Sequence, residues 1–186
     1  MKKLALILAL CLLMGTLAGC MPTMPPDDVA PLLHVEPLEG EPQVPDTSGL
    51  HHYETAGGFS FHAARGMKET EIEGMALYMK NTYFLVMVIR EPKTGTVLEE
   101  MDLSGYAELL AGNNGLEPFV TDPYGTLATV NMARSLETED LFFYYVTVHE
   151  TSDSFWLVQV ACPDEMAKNG FEELALWSAT FSFPEG

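Results

Sequence analysis

Beyond residue 58, apolar and polar residues mostly alternate or form short apolar runs, a pattern typical of β-strands. Apolar residues recur at helical spacing over 102–112, before the helix stop Asn113-Asn114-Gly115. A second helix is predicted from Pro163 to about Trp177, and Asn169-Gly170 allows a break in it. Strands are predicted at 59–61, 72–80, 82–90, 119–120, 126–132, 141–149, 154–162 and 180–183.

The clearest hairpin joins 141–149 to 154–162 and is apolar on both faces. Both faces should therefore be covered, and the two predicted helices are the obvious covers. The element order β-β-β-α-β-β-β-β-α-β predicts an α+β domain, with an antiparallel sheet of about six to eight strands flanked by helices on both faces. One face would hold Phe142, Tyr144, Val146, Val148, Phe155 and Leu157, and the other Leu141, Phe143, Tyr145, Trp156, Val158 and Val160.

The N-terminus begins with Lys2-Lys3, an apolar run over 4–14 and then Leu17-Ala18-Gly19-Cys20, an order that is typical of a secretory signal. The last four residues resemble the lipobox of bacterial lipoproteins. That resemblance implies a signal peptide over 1–19, cleavage between Gly19 and Cys20, and a diacylglyceryl group on the Cys20 thiol. The alternatives are an ordinary cleaved signal or an N-terminal membrane helix. The apolar run is shorter than the roughly 20 residues needed to span a bilayer.

Residues 20–57 differ in composition from the rest of the chain. Between positions 21 and 57 there are seven of the twelve prolines, seven acidic residues, and no Lys or Arg. Such a segment buries little apolar surface and its like charges keep it extended. It is predicted to be a tether between the lipidated Cys20 and a globular domain over 58–186. A long tether would reach through the wall zone, which favours the outer face of the cytoplasmic membrane of a Gram-positive bacterium.

The net charge of −18 becomes −20 when the signal peptide, with Lys2 and Lys3, is removed. A surface this acidic repels nucleic acid and anionic lipid head groups. We therefore expect no nucleic-acid partner, and membrane attachment only through the lipid on Cys20. Cys11 leaves with the signal peptide, so Cys162 is the only remaining free thiol and no intramolecular disulfide is expected.

The globular part resembles the Mog1/PsbP-like family, and most closely its small lipoproteins in Firmicutes. The resemblance rests on the element order and on Gly58-Phe59-Ser60-Phe61, the strand pair at 142–146 and 154–158, and the ending Phe171-Glu172-Glu173 into Phe181-Ser182-Phe183. It covers about residues 58–184. What it implies is a non-catalytic accessory or binding module, with no catalytic residues to carry over.

Cys162 is the first candidate for chemistry, because it lies where a strand meets a helix N-terminus, a position that can activate a thiol. His149 is the nearest histidine in sequence. If His149 lies opposite Ser154, the hairpin separates it from Cys162 by about 26 Å. We therefore expect a buried structural thiol and no catalytic residues.

Candidate metal ligands are scattered. His51-His52 and His34 lie in the predicted tether and His62 on the first strand, so incidental Zn²⁺ or Ni²⁺ binding is expected rather than a specific site. We expect the methionine side chains to fill the core rather than to bind Cu(I). We expect the acidic side chains to lie on solvated faces, and Ca²⁺ binding by them stays open. No metal or cofactor is predicted. The residues weighed are Met75, Met79 and Met87, and Glu69, Glu71, Glu73, Glu137, Glu139 and Asp140.

These observations predict a non-enzymatic lipoprotein that presents a binding or accessory domain to an envelope protein partner. Trp156 and Tyr145 are the candidate interface residues, with core packing as their alternative. Two other classes stay open: a metal- or small-ligand-binding protein, and an envelope enzyme that uses carboxylates or Cys162. A pocket lined by convergent polar groups would favour those two, whereas a flat patch of exposed aromatic residues would favour a docking surface.

Overall fold

The computed structural model describes residues 34–134 and 140–184. Its strands are β1 (His51–Glu54), β2 (Ser60–Ala63), β3 (Lys68–Glu69), β4 (Leu77–Lys80), β5 (Leu85–Pro92), β6 (Val120–Thr121), β7 (Leu127–Arg134), β8 (Leu141–Glu150) and β9 (Ser154–Pro163). The central sheet is seven-stranded and antiparallel, in the order β3-β4-β5-β9-β8-β7-β6, and a separate hairpin pairs β1 with β2. The predicted α+β class with an antiparallel sheet is confirmed.

Two helices accompany the sheet. Helix α1 (Leu103–Asn114) begins at Asp102, whose side chain accepts a hydrogen bond from the Gly105 amide. It ends at Gly115, whose φ of 63° is the left-handed conformation that glycine adopts readily. Helix α2 (Asp164–Ser178) runs without interruption through Asn169-Gly170, so the break allowed by the sequence is absent.

Each face of the sheet is packed against one helix. The first core lies under α2 and the β1–β2 hairpin, and it contains Trp156, Phe143, Tyr145 and Phe61. The second core lies under α1, with Phe155, Leu157, Val146 and Val148 packed around Tyr106. These groups match the two faces predicted from the 141–149 and 154–162 hairpin, because successive strand residues point to opposite sides.

The ordered domain begins earlier than Gly58. Val35 is buried in the first core, and β1 pairs with β2. The Leu38 amide donates a 2.7 Å hydrogen bond to the Thr121 carbonyl at the edge of β6, and the Gln43 amide donates to Pro123. The structure therefore contradicts a free tether over residues 34–57. Proline and like charge keep this stretch extended, and an extended chain is the shape that lies along a sheet edge.

Three local predictions also differ. The strand over 72–80 is shortened to β4, because a turn at Gly74 (φ 85°) interrupts the run. The last strand, 180–183, is reduced to a single bridge between Ser60 and Ser182. The β8–β9 register is shifted by two residues, so that His149 pairs with Trp156.

Candidate binding surface

Helix α1 covers only part of its face of the sheet. Ile89, Leu157 and Val148 form one row across β5, β9 and β8, and all three are buried in the second core. On the same face of the sheet, the row of paired residues two rows away lies outside both core clusters or at their margin. From β3 to β7 that row contains Lys68, Lys80, Leu85, Ala161, Tyr144 and Asn131.

We call this region the open face and define it by Tyr78, Leu85, Met87, Phe142 and Tyr144. All five side chains are partly buried. Only Tyr144 packs against the second core, and the other four belong to neither core cluster. The rings of Phe142 and Tyr144 lie 6.5 Å apart. Partly exposed apolar and aromatic side chains grouped on one sheet face are typical of a protein interaction surface.

Two lysines border the open face. Lys68 and Lys80 lie directly opposite each other at the β3–β4 edge, and both are exposed. The chain has nine Lys and Arg residues against 27 Asp and Glu residues, so a cross-strand lysine pair stands out from its surroundings. Lys68 and Lys80 thus place two basic side chains at the margin of the open face.

Tyr144 is a neutral hydrogen-bonding group of the open face. Burial raises the pKa of Tyr144, and the neighbouring Tyr78 raises it further. The Tyr144 hydroxyl therefore keeps its proton at physiological pH. The open face thus combines aromatic rings, hydroxyl groups and a basic edge, which suits a partner with apolar contacts and an acidic group.

The two predicted interface residues are buried on the other face. Trp156 and Tyr145 each expose 1% of their surface, so neither is an interface anchor. The Trp156 ring stacks on Phe183 at 5.2 Å and meets Phe59 edge-on at 5.3 Å, while its Nε1 donates to the Thr151 hydroxyl. The alternation of β9 directs Trp156 under the C-terminal segment, and the sequence alone did not reveal that this segment covers it.

The Tyr145 hydroxyl donates a 2.8 Å hydrogen bond to Oδ2 of the buried Asp122. The other carboxylate oxygen accepts from the amides of Tyr124 and Thr126. Asp122 therefore holds the turn at 122–125 against β8. This network stabilises the fold and is enclosed rather than available to a ligand.

Cys162 and His149 are not brought together. His149 pairs with Trp156, six residues along β9 from Cys162, which corresponds to about 20 Å. Cys162 is buried, and burial, followed by the nearby Glu173 and Asp164, raises its pKa to about 11. At neutral pH it is therefore a protonated thiol in the first core, as a structural cysteine would be.

The methionine and glutamate candidates are dispersed. Met79 is buried in the first core, whereas Met87 points to the open face. Of the three alternating glutamates, Glu69, Glu71 and Glu73, only Glu69 lies on a strand, and all three are exposed. Within residues 34–134 and 140–184, no group of three or more His, Cys, Asp or Glu side chains is placed to hold a metal ion.

The histidines of the predicted tether differ from expectation, because two of them lie on strands. His51 and His52 belong to β1, and His52 is directly opposite His62 on β2. His34 is exposed in the segment that precedes β1.

One buried acid was not recognised in the sequence. The predicted strand over 82–90 stops before Glu91, but β5 continues to Pro92 and carries Glu91 under α1. Burial raises the pKa of Glu91, and the neighbouring Tyr106 hydroxyl offsets part of that effect. No residue pattern distinguishes this glutamate from a surface one. It lies beneath α1 and lines neither of the two clefts at the surface.

Two surface clefts are open to solvent. One, of about 380 Å³, lies between the 36–43 segment and Pro123 and is lined mainly by acidic and proline side chains. The other adjoins the start of α1 beside Val97, Glu100 and Met101. Neither brings convergent catalytic groups together.

Several predicted residues lie outside the described part of the chain: Gly19, Cys20, Glu137 and Glu139. The signal peptide, the cleavage site and the lipid attachment therefore stay predictions. Among the helices of the described part, none is both long and apolar enough to cross a bilayer.

No protein-family model and no curated protein matches the sequence. The structure is similar to a protein from Bacteroides thetaiotaomicron VPI-5482, with a TM-score of 0.46 and 12% identity over 72% of this chain and 48% of that one. This chain thus spans about half the length of that protein. It is also similar to cyanobacterial PsbP (CyanoP) from Synechocystis sp. PCC 6803, with a TM-score of 0.44 and 9% identity over 78% of this chain and 98% of that one. The PsbP name of the second protein is that of the family that the sequence motifs resemble.

Proposed function

We propose that this protein is a lipid-anchored extracytoplasmic binding module and not an enzyme, and that its open face docks an envelope protein. The observation that carries the proposal is the group of partly exposed side chains at Tyr78, Leu85, Met87, Phe142 and Tyr144, beside exposed lysines. An acidic segment of the partner would meet Lys68 at the β3–β4 edge. Its apolar side chains would cover the strip that α1 leaves accessible.

A central Met87→Asp substitution tests the docking surface. It places a negative charge in an apolar contact and should abolish co-purification of the partner from detergent-solubilised envelopes. The matched control is Val97→Asp, because Val97 is 70% exposed on the loop before α1. The control should retain the partner. The proposal is rejected if Met87→Asp, melting like the wild type, recovers the same partner in the same amount.

The lysine pair has its own test. Lys68→Glu should weaken the same association most strongly at low salt, because exposed charges are screened at high ionic strength. Lys168→Glu on the exposed part of α2 is a control of equal charge change. Equal losses from both substitutions would indicate a net-charge effect and exclude recognition at the β3–β4 edge.

The lipid anchor rests on Leu17-Ala18-Gly19-Cys20 and is tested by metabolic labelling with a palmitate analogue. Cys20→Ser should lose the label and the membrane retention. Cys11→Ser and Cys162→Ser should keep both, because only the lipobox cysteine accepts the diacylglyceryl group. Label that persists on Cys20→Ser would reject the assignment.

A further inference from the structure

Two histidine side chains face each other across the β1–β2 hairpin. His52 pairs with His62, and their ring centroids lie 4.7 Å apart with a 46° tilt. His51 is adjacent in sequence but points to the opposite side of the strand, where its ring meets Tyr53 edge-on at 4.6 Å. The spatial pair is therefore His52 with His62, and the adjacent His51-His52 pair is split between two faces.

The separation of the rings fits joint coordination of one ion. With metal–nitrogen bonds of about 2.1 Å, two imidazoles on a tetrahedral ion have centroids about 5 Å apart. The site is accessible, since the His52 side chain is 46% exposed and His62 is partly exposed. Little rearrangement is needed to bring one nitrogen of each ring to the same ion.

Glu54 supplies an orienting group. Its Oε1 lies 3.3 Å from Nε2 of His52 on the same side of β1. A carboxylate that accepts a hydrogen bond from one imidazole nitrogen fixes the tautomer and makes the other nitrogen a better ligand. When Nε2 of His52 donates to Glu54, Nδ1 carries the lone pair that a metal takes.

We propose that His52 and His62 bind a divalent late first-row metal ion such as Ni²⁺, Cu²⁺ or Zn²⁺, with water completing the coordination. Imidazole nitrogen suits these ions, whereas Mg²⁺ and Ca²⁺ prefer oxygen ligands. The bound ion ties β1 to β2 and so fastens the N-terminal part of the described chain to the domain. The hairpin packs on the α2 side of the sheet, so the site is independent of the open face.

Calorimetric titration of the full chain, purified without a polyhistidine tag near neutral pH, tests this site with Ni²⁺ and Zn²⁺ as probes. The wild type should bind both, and Mg²⁺ should not compete. His62→Gln should weaken binding on the order of 10²-fold, because a chelate of two ligands becomes a single one. The fold tolerates the change, since His62 hydrogen-bonds to Thr180 through its main chain.

Two controls distinguish the cross-strand pair from other histidines. His51→Gln and His34→Gln should leave the affinity unchanged, and Glu54→Gln should weaken it by about tenfold as an orienting group would. Ni²⁺ should raise the melting temperature of the wild type but not of His62→Gln. Loss of binding in His51→Gln with retention in His62→Gln would assign binding to the adjacent pair and overturn the proposal. Absence of binding in the wild type would overturn it too.

Discussion

The two faces of the central sheet are made from the same strands but are covered to different extents. On one face, α2, the β1–β2 hairpin and the C-terminal segment enclose both Trp156 and Trp177. On the other, α1 covers the rows around Leu157 and leaves the open face partly accessible. Aromatic residues are present on both. Their number therefore does not distinguish a core from a binding surface, whereas the elements that cover each face do.

The largest expected effect is on the enclosed face. Trp156→Ala removes a ring that packs between Phe59 and Phe183 and leaves a cavity among residues that cannot collapse fully. We expect a loss of about 3–5 kcal/mol in the free energy of unfolding, measured by denaturant titration. Tyr83→Ala, at a side chain that is 56% exposed, should change it by less than about 0.5 kcal/mol. A Trp156→Ala variant as stable as the wild type would contradict the enclosed core.

Substitution of two methionines on neighbouring strands allows a direct comparison of the two faces. Met79 is buried in the first core, and Met87 lies on the open face. Met79→Ala should cost about 2–5 kcal/mol, as buried methionine truncations do. Met87→Ala should cost about 1 kcal/mol or less, because its side chain is only partly buried. Equal losses in parallel denaturant melts would indicate that both faces are sealed.

The stability of the enclosed face should also depend on pH through His149. Its ring packs on Phe183 at 4.9 Å, Nε2 lies 3.0 Å from the Thr147 hydroxyl, and burial lowers its pKa to about 4. Between about pH 6.5 and 4, the unfolded chain binds a proton here that the folded chain does not. Stability should therefore fall as pH decreases through that window, by at most about 3 kcal/mol.

His149→Gln isolates this contribution from that of the carboxylates. The difference in unfolding free energy between the variant and the wild type should change across the window and be flat above it. A difference that stays constant from neutral pH to pH 4 would contradict a buried neutral imidazole.

The smallest expected difference in stability between the two faces is that between two adjacent tyrosines. Tyr145→Phe removes the hydroxyl that donates to the buried Asp122, so it should cost about 1–3 kcal/mol. Tyr144→Phe, one residue earlier and on the open face, should change stability by about 0.5 kcal/mol or less. Thermal and chemical denaturation of the two variants measure the difference. Equal losses would show that the Tyr145–Asp122 hydrogen bond contributes little.

Local patterns predicted much of the fold. The alternation in 141–149 and 154–162 was sufficient to assign both faces, and Asn113-Asn114-Gly115 marked the end of α1 closely. The registers and the outer coverings could not be obtained in this way. They depend on long-range contacts, such as the hydrogen bonds from residues 38 and 43 to the β6 edge and β6–β7 turn, that leave no periodic signal in the sequence.

The candidate surface was harder to predict than the fold. Trp156 was a reasonable interface residue by type, but the Phe183 segment covers it. Met87 and Tyr78 carry no distinguishing signal, because their exposure depends on where α1 stops covering the sheet. The His52–His62 pair was not predicted either, because a segment rich in proline and acidic residues has no pattern that predicts a strand.

The most direct test of the binding-module account is site-specific photo-crosslinking in intact cells. A photoreactive amino acid at position 87 should yield one discrete adduct with an envelope protein, because Met87 is central to the open face. The same group at position 97, which is 70% exposed in the wild type, should yield none. No adduct from position 87, or the same adducts from both positions, would contradict the account.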